Sequence, residues 1–314
     1  MSFAVQLAER ATRHAIFLGL AALALAATIL NPAFVQPGNL ANLIIQSAVL
    51  ALLAIGQTLV ITAGLIDLSV GTLMALATVL ICDLMQGDSA LTLPAVLLAL
   101  AVGAGGGVLN GLLYNLLRVH PLILTFGMLS VFHGVILAYT ERSTGAASPE
   151  ILWLANGTLG GVPAILLLVI AMAAVYHHLL ARTRFGLHLR AVGGSEEGAR
   201  RAGVPVARVR LLVYLCSGLS AGVAAIALAG RLGTGNPNAG LGFELDAIVA
   251  VVLGGTSLAG GRGTIAGTLA AVLALAIVSN LLNILEISAF WQMVAKGLII
   301  VFAILAYQSR ERRP

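Results

Sequence analysis

Apolar runs follow one another along almost the whole chain, separated by short polar interruptions. Ten of them, at 15–30, 40–63, 68–85, 91–113, 121–139, 162–180, 211–229, 244–258, 265–282 and 287–307, predict helices long enough, or nearly so, to cross a bilayer. Two interruptions fall where the apolar pattern would otherwise continue. Thr62-Ala-Gly-Leu-Ile-Asp-Leu-Ser-Val-Gly71 places Gly64, Asp67 and Gly71 inside the stretch 40–85, and Gly254-Gly-Thr-Ser-Leu-Ala-Gly-Gly-Arg-Gly263 repeats the effect later. The chain has to turn or break at both places. An acid at mid-bilayer is unfavourable by about 2.5–3.5 kcal/mol on insertion scales, so Asp67 is expected at the membrane edge, capping the helix that follows.

The longest interruption is basic and spans 181–210. Within it Ser195 can N-cap a short helix. Glu196 and Glu197 fall in the first turn, where the helix dipole favours anions, and Arg200 and Arg201 stand four residues after them. Gly198 lies between these charges, and Gly203 with Pro205 ends the pattern. A two-turn helix is marginal alone in water. Charge alone reads as a solvated loop, but local signals this complete imply that something packs against it.

The composition settles the class. The chain of 314 residues is 60% hydrophobic and 9% charged, against about 25% charged in soluble domains, and its mean hydropathy is +1.04. It reads as a single all-α integral membrane domain, 1–314, with no room for a separate soluble unit. With the N-terminus inside, fourteen of the 17 basic residues fall in cytoplasmic segments, Arg142 and Arg231 fall outside, and Lys296 lies in the last run. That bias predicts about ten spans with both termini in the cytoplasm. The net charge of +5 then reports cationic loops, not affinity for nucleic acid. Arg10 and Arg13 precede the first run without a cleavage pattern, which reads as a retained span. Cys82 and Cys216 lie in apolar runs without metal-type spacing and read as packing residues.

Several motifs point away from covalent chemistry. Lys296 is the single lysine and Gly297 follows it, so a phosphate-binding GxxxxGK[ST] loop is impossible. ATP hydrolysis, if any, belongs to another chain. Gly218-Leu-Ser-Ala-Gly222 matches the hydrolase pattern, but it sits mid-run where a strand-to-helix elbow cannot form. Like Gly103, Gly107, Gly111 and the pair Gly263 and Gly267, it reads as a helix-packing face. His177 and His178 are sequence neighbours that cannot share a helix face, and His133 is assigned no role.

Taken together, several segments resemble the sugar-type permeases of bacterial ABC importers over nearly the whole chain. Ile66-Asp-Leu-Ser-Val-Gly71, Glu196-Glu-Gly-Ala-Arg-Arg-Ala-Gly203 and Pro237-Asn-Ala-Gly-Leu-Gly-Phe-Glu-Leu-Asp-Ala247 are similar to that family's patterns. The most specific match is Val252-Leu-Gly-Gly-Thr-Ser-Leu-Ala-Gly-Gly-Arg-Gly-Thr264, with Phe290-Trp-Gln292 and Lys296-Gly-Leu-Ile299. Leu65 departs from the usual glycine, and Gly198 and Arg201 vary the coupling segment.

The resemblance implies an inner-membrane, multi-pass permease with broken or short helices that pairs with a second copy or a paralogue. It further implies docking of ABC ATPase subunits, which hold ATP and Mg²⁺ while this chain binds no cofactor, and reception of sugar from a periplasmic binding protein. Ser195, Glu196, Glu197, Gly198, Arg200, Arg201 and Gly203 would then form the cytoplasmic coupling helix. Gln57, Asn110, Asn115, Asn280, Asn283 and Gln292 are candidates for the translocation path. Arg142 and Arg231, with Asp88, Glu141 and Glu150 nearby, are candidates for the outer docking surface. The competing reading is an ion-coupled secondary transporter in which Asp67, Asp246 and Lys296 carry a cation cycle.

Overall fold

A computed structural model describes residues 3–288 together with 290, 291, 294 and 297. The described chain is a helical bundle: α1 (Phe3–Leu30), α2 (Pro37–Thr62), α3 (Val70–Met85), α4 (Thr92–Leu117), α5 (Pro121–Tyr139), α6 (Pro149–Asn156), α7 (Ala164–Arg182), α8 (Arg184–Gly194), α9 (Glu196–Arg201), α10 (Val206–Leu232), α11 (Phe243–Leu253) and α12 (Ile265–Ile284). A two-stranded hairpin, β1 (Thr158–Leu159) with β2 (Val162–Pro163), joins α6 to α7.

Among the described residues six helices are long and apolar enough to cross a membrane, and Ile16–Leu30 and Val70–Met85 are shorter apolar helices. The run expected at 287–307 lies mostly outside the described residues. The run expected at 244–258 is a half-helix. The 11 residues of α11 rise about 16 Å, roughly half a hydrocarbon core. What precedes it is non-helical chain lying along α3: Gly235 packs on Val79 and Gly240 on Gly71, so closely that a Cβ at either glycine would collide with α3. Gly242, at φ +90°, then turns the chain into α11.

α2 is the central helix. Sixteen of its 26 residues are buried, and α10, α12, α11 and α7 surround it. Its apolar composition all round is what such a position requires. Among the described residues the most extensive helix contact is that of α4 with α10, which meet through facing glycines: a Cβ at Gly103 would strike the carbonyl of Gly218, and one at Gly107 the carbonyl of Tyr214. The hydrolase-like motif is thus half of a two-sided small-residue interface. Its Ser220 hydroxyl donates to the Leu52 carbonyl of α2 and is 1% exposed. By contrast α5 leaves much of its surface open, with Leu122, Ile123, Phe126, Val131 and Val135 exposed.

Candidate functional site

The basic interruption folds into two helices where one was expected. Thr183 caps α8, its Oγ1 accepting the Gly186 N–H at 3.3 Å. Ser195, extended at φ −164°, separates α8 from α9. α9 has the predicted local build. Ser195 Oγ accepts the Gly198 N–H at 3.1 Å, and Arg200 pairs with Glu196 at 2.7 Å and Arg201 with Glu197 at 2.9 Å. Its end is a Schellman motif: Val204 N–H donates to the Ala199 carbonyl and Gly203 N–H to the Arg200 carbonyl, both at 3.0 Å. Gly203 takes the left-handed conformation this needs, φ +78°.

This unit is anchored to both breaks in the apolar pattern. Gly193, near the end of α8, lies against the Thr62 carbonyl at the end of α2 and against Gly261, and the Gly261 N–H donates to that same carbonyl at 2.8 Å. No side chain fits at 193, since a Cβ there would overlap the Thr62 carbonyl.

From Thr62 the chain turns back into the bundle before α3 begins, and this buries Asp67. Asp67 is 1% exposed. Its Oδ1 accepts the Ser69 N–H at 3.0 Å and the Ser69 hydroxyl at 2.7 Å, and its Oδ2 accepts the Ser217 hydroxyl at 3.0 Å. Asn110 Nδ2 donates to Ser69 Oγ at 2.8 Å, and Gln57 Nε2 to the Asp67 carbonyl at 3.3 Å. Ser217 lies 11 residues into α10, about 16 Å along its axis. Asp67 therefore satisfies the start of α3 inside the bundle, where hydrogen-bond donors from α3 and α10 replace water.

The start of α11 comes close to the same region. Glu244, 7% exposed, accepts the Gly242 N–H through Oε1 at 3.1 Å, while its Oε2 is buried without a hydrogen-bond partner. Gly71 leaves room for that carboxyl, which a Cβ at 71 would strike. Two helix N-termini, each with a buried acid beside it, thus approach one another within the bundle, and each acid opposes the partial positive charge of a helix start.

Of the six amides named from sequence, the five among the described residues do not form a single cluster. Gln57 and Asn110 join the Asp67 cluster, each with its carbonyl oxygen buried and unpartnered. Asn115 donates to the Ala207 carbonyl at 2.9 Å. Asn280 forms a reciprocal amide pair with Asn39, at 2.8 and 3.0 Å, tying α12 to α2. Asn283 is exposed, and Gln292 and Lys296 lie outside the described residues. At the opposite end of the bundle from α9, Arg142 is exposed and Arg231 donates to the Gln46 carbonyl at 3.4 Å. There the Ser89 hydroxyl, the backbone of residue 150 and the Thr92 hydroxyl hold the Glu150 carboxyl below the usual carboxylate range.

Among the described residues no group of three or more His, Cys, Asp and Glu could hold a metal. A glycine-packed bundle with broken helices, a buried polar cluster in an apolar interior and a charged knob at one end fits a multi-pass membrane protein. The family model described as the branched-chain amino acid transport system / permease component matches residues 39–304. Curated relatives match over almost the same extent. The ribose import permease protein of Bacillus subtilis (strain 168) is 40% identical over 292 residues, covering 92% of this chain and 90% of that protein. The L-arabinose ABC transporter permease protein of Azospirillum brasilense is 33% identical, covering 90% and 84%. The D-allose transport system permease protein of Escherichia coli (strain K12) is 33% identical, covering 86% and 83%. No solved structure matches. The chain belongs to this family of transport-system permease components.

Proposed function

We propose that the chain is the inner-membrane subunit of an ATP-driven importer that passes a monosaccharide or related polyol from a periplasmic binding protein to the cytoplasm. In this reading it crosses the membrane about ten times, with both termini and α8–α9 on the cytoplasmic side, and works beside a second copy or a paralogue. A separate ABC ATPase binds ATP and Mg²⁺ and grips α9. The observation that carries the reading is α9 itself, a helix of six residues capped at both ends, ion-paired along its exposed face and keyed through α8 into the ends of two interior breaks.

The family description names branched-chain amino acids, while the relatives just described carry the names of ribose, arabinose and allose. The sugar reading rests on those relatives. Within it, Gln57, Asn110 and Asp67 hold the interior break and Asn280 ties helices, leaving the exposed polar groups of the bundle to meet sugar hydroxyls.

The test is uptake into proteoliposomes holding the permease with its ATPase and binding protein, offered radiolabelled D-ribose, D-allose, L-arabinose and L-leucine. We expect uptake of one of the sugars that needs ATP and persists when ionophores collapse the ion gradients. Uptake that continues without ATP and stops with the ionophores would establish the ion-coupled alternative. Uptake of leucine alone would remove the sugar assignment.

A further inference from the structure

Arg210 is a basic residue that lies almost inside the protein. Its side chain is 16% exposed, on the first turns of α10, and pairs with Glu196 of α9. Its guanidinium stands 4.9 Å from the ring centre of Tyr114 on α4. Tyr114 in turn meets Tyr214 of α10, with ring centroids 6.0 Å apart and planes tilted by 58°. Tyr214 is fully buried, and its hydroxyl donates to the Ile66 carbonyl at 3.4 Å. The Thr125 hydroxyl of α5 approaches that same carbonyl at 3.3 Å. Ile66 is the residue before Asp67. A contiguous set of contacts therefore runs from α9 to the break that starts α3.

We propose that Arg210 is a positioning residue of the transport cycle, carrying displacement of α9 through Tyr114 and Tyr214 to the Ile66–Asp67 turn. The inference rests on the reading of α9 as the coupling helix. Three physical features suit Arg210 to this task. Planar guanidinium allows a carboxylate pair at its edge and an aromatic ring against its face at once, which a lysine ammonium does less well. Burial holds that geometry: Arg210 Nε is shielded from solvent and has no hydrogen-bond partner, so the side chain is held by its pair and its ring. The aromatic pair behind it is rigid, with few rotamers to absorb a push. By comparison, Arg200 and Arg201 are 63% and 79% exposed and serve α9 alone.

The experiment compares Arg210→Leu, Arg210→Lys, Tyr114→Leu and Tyr114→Phe in the complete complex of permease, ATPase and binding protein in liposomes. The binding protein is loaded with D-ribose, D-allose or L-arabinose, whichever stimulates ATP hydrolysis by the parent. Expected is unchanged ATPase co-purification and basal hydrolysis. Stimulation should fall about thirtyfold in Arg210→Leu and Tyr114→Leu, the size of losing one desolvated cation–π contact. Tyr114→Phe, which keeps the ring, should match the parent, and Arg210→Lys should fall between. Parent-level stimulation in Arg210→Leu, or in Tyr114→Leu, overturns the proposal. If Arg210→Leu fails to assemble, the two Tyr114 variants decide it alone. Ala199→Pro, which breaks α9, separates this idea from the one beneath it. Stimulation lost there but intact in Arg210→Leu leaves the coupling helix standing and removes the route through Arg210, whereas stimulation intact in both removes both.

Discussion

Asp67 and Glu197 both stand beside the start of a helix, yet one is 1% exposed and the other 65%. Around Asp67, three hydrogen bonds converge from α10 and from Ser69, and burial keeps bulk solvent from competing with them. Around Glu197, one arginine on the same helix pairs across a surface that water also reaches. The same chemistry therefore holds the fold in one place and stays available to a partner in the other. A buried polar group is strongly destabilising to strand, and an exposed ion pair is weak. Changes in the interior should thus appear as lost stability, and changes on α9 as lost coupling in a protein that still folds.

The largest effect is expected at Asp67. Asp67→Ala leaves the Ser69 N–H, the Ser69 hydroxyl and the Ser217 hydroxyl without an acceptor, at about 1–3 kcal/mol for each donor that finds no other. Asp67→Asn keeps one oxygen and should lose less. Thermal unfolding of the purified protein in detergent checks the order, and a parent-like midpoint for Asp67→Ala would break the comparison at its root. Next comes Gly193, where Gly193→Ala forces a methyl onto the Thr62 carbonyl and should destabilise by about 1–3 kcal/mol. Gly194→Ala, one residue on, meets nothing within 4 Å and should unfold like the parent. Equal midpoints for the two would show that α8 is not keyed to α2.

Smaller again is the Arg201–Glu197 pair. Removing it by Arg201→Gln should change stability by less than about 0.5 kcal/mol while reducing stimulated ATP hydrolysis, so a shift in unfolding without a shift in stimulation would reverse the assignment. The smallest effect is expected at Glu150, whose folded pKa is lowered chiefly by the Ser89 hydroxyl. A depressed carboxylate adds stability that is present above its unfolded pKa and lost as pH falls through its folded pKa. Exposure keeps that contribution slight. Glu150→Gln should lower the midpoint slightly near neutrality, leave it at the parent value at low pH, and so flatten the acid side of the stability profile, as a pH series of unfolding midpoints would record.

How legible each part was from sequence follows how local its partners are. The cap, the two i,i+4 pairs and the glycine stop of α9 all lie within nine residues, so their spacing alone predicts them. α8 was missed because Gly186, Gly193 and Gly194 read as loop residues, although Thr183 three residues before Gly186 is a capping signal in hindsight. Arg210 was read only as loop charge, because its partner Glu196 is 14 residues away and Tyr114 lies on another helix. The insertion penalty placed Asp67 at the membrane edge. That argument weighs an acid without partners, and it could not foresee that Ser217, 150 residues distant, donates to Asp67 inside the bundle. Hydropathy also hides the half-helix α11: the run at 244–258 does not show where its helix begins, and only the approach of Gly240 to Gly71 exposes the non-helical stretch before it.

The central claim is that α9 hands ATPase motion to the bundle as a rigid body. Ala199 N–H makes the first bond of α9, to the Ser195 carbonyl at 2.9 Å, so Ala199→Pro removes a helix bond where Gly198→Pro would remove only the cap. The deciding measurement is ATP hydrolysis stimulated by sugar-loaded binding protein in the reconstituted complex carrying Ala199→Pro, with membrane insertion of the permease followed alongside. The account predicts parent-level insertion with stimulation abolished. Stimulation and ATPase co-purification both at the parent level would contradict it and return residues 195–203 to a solvated loop.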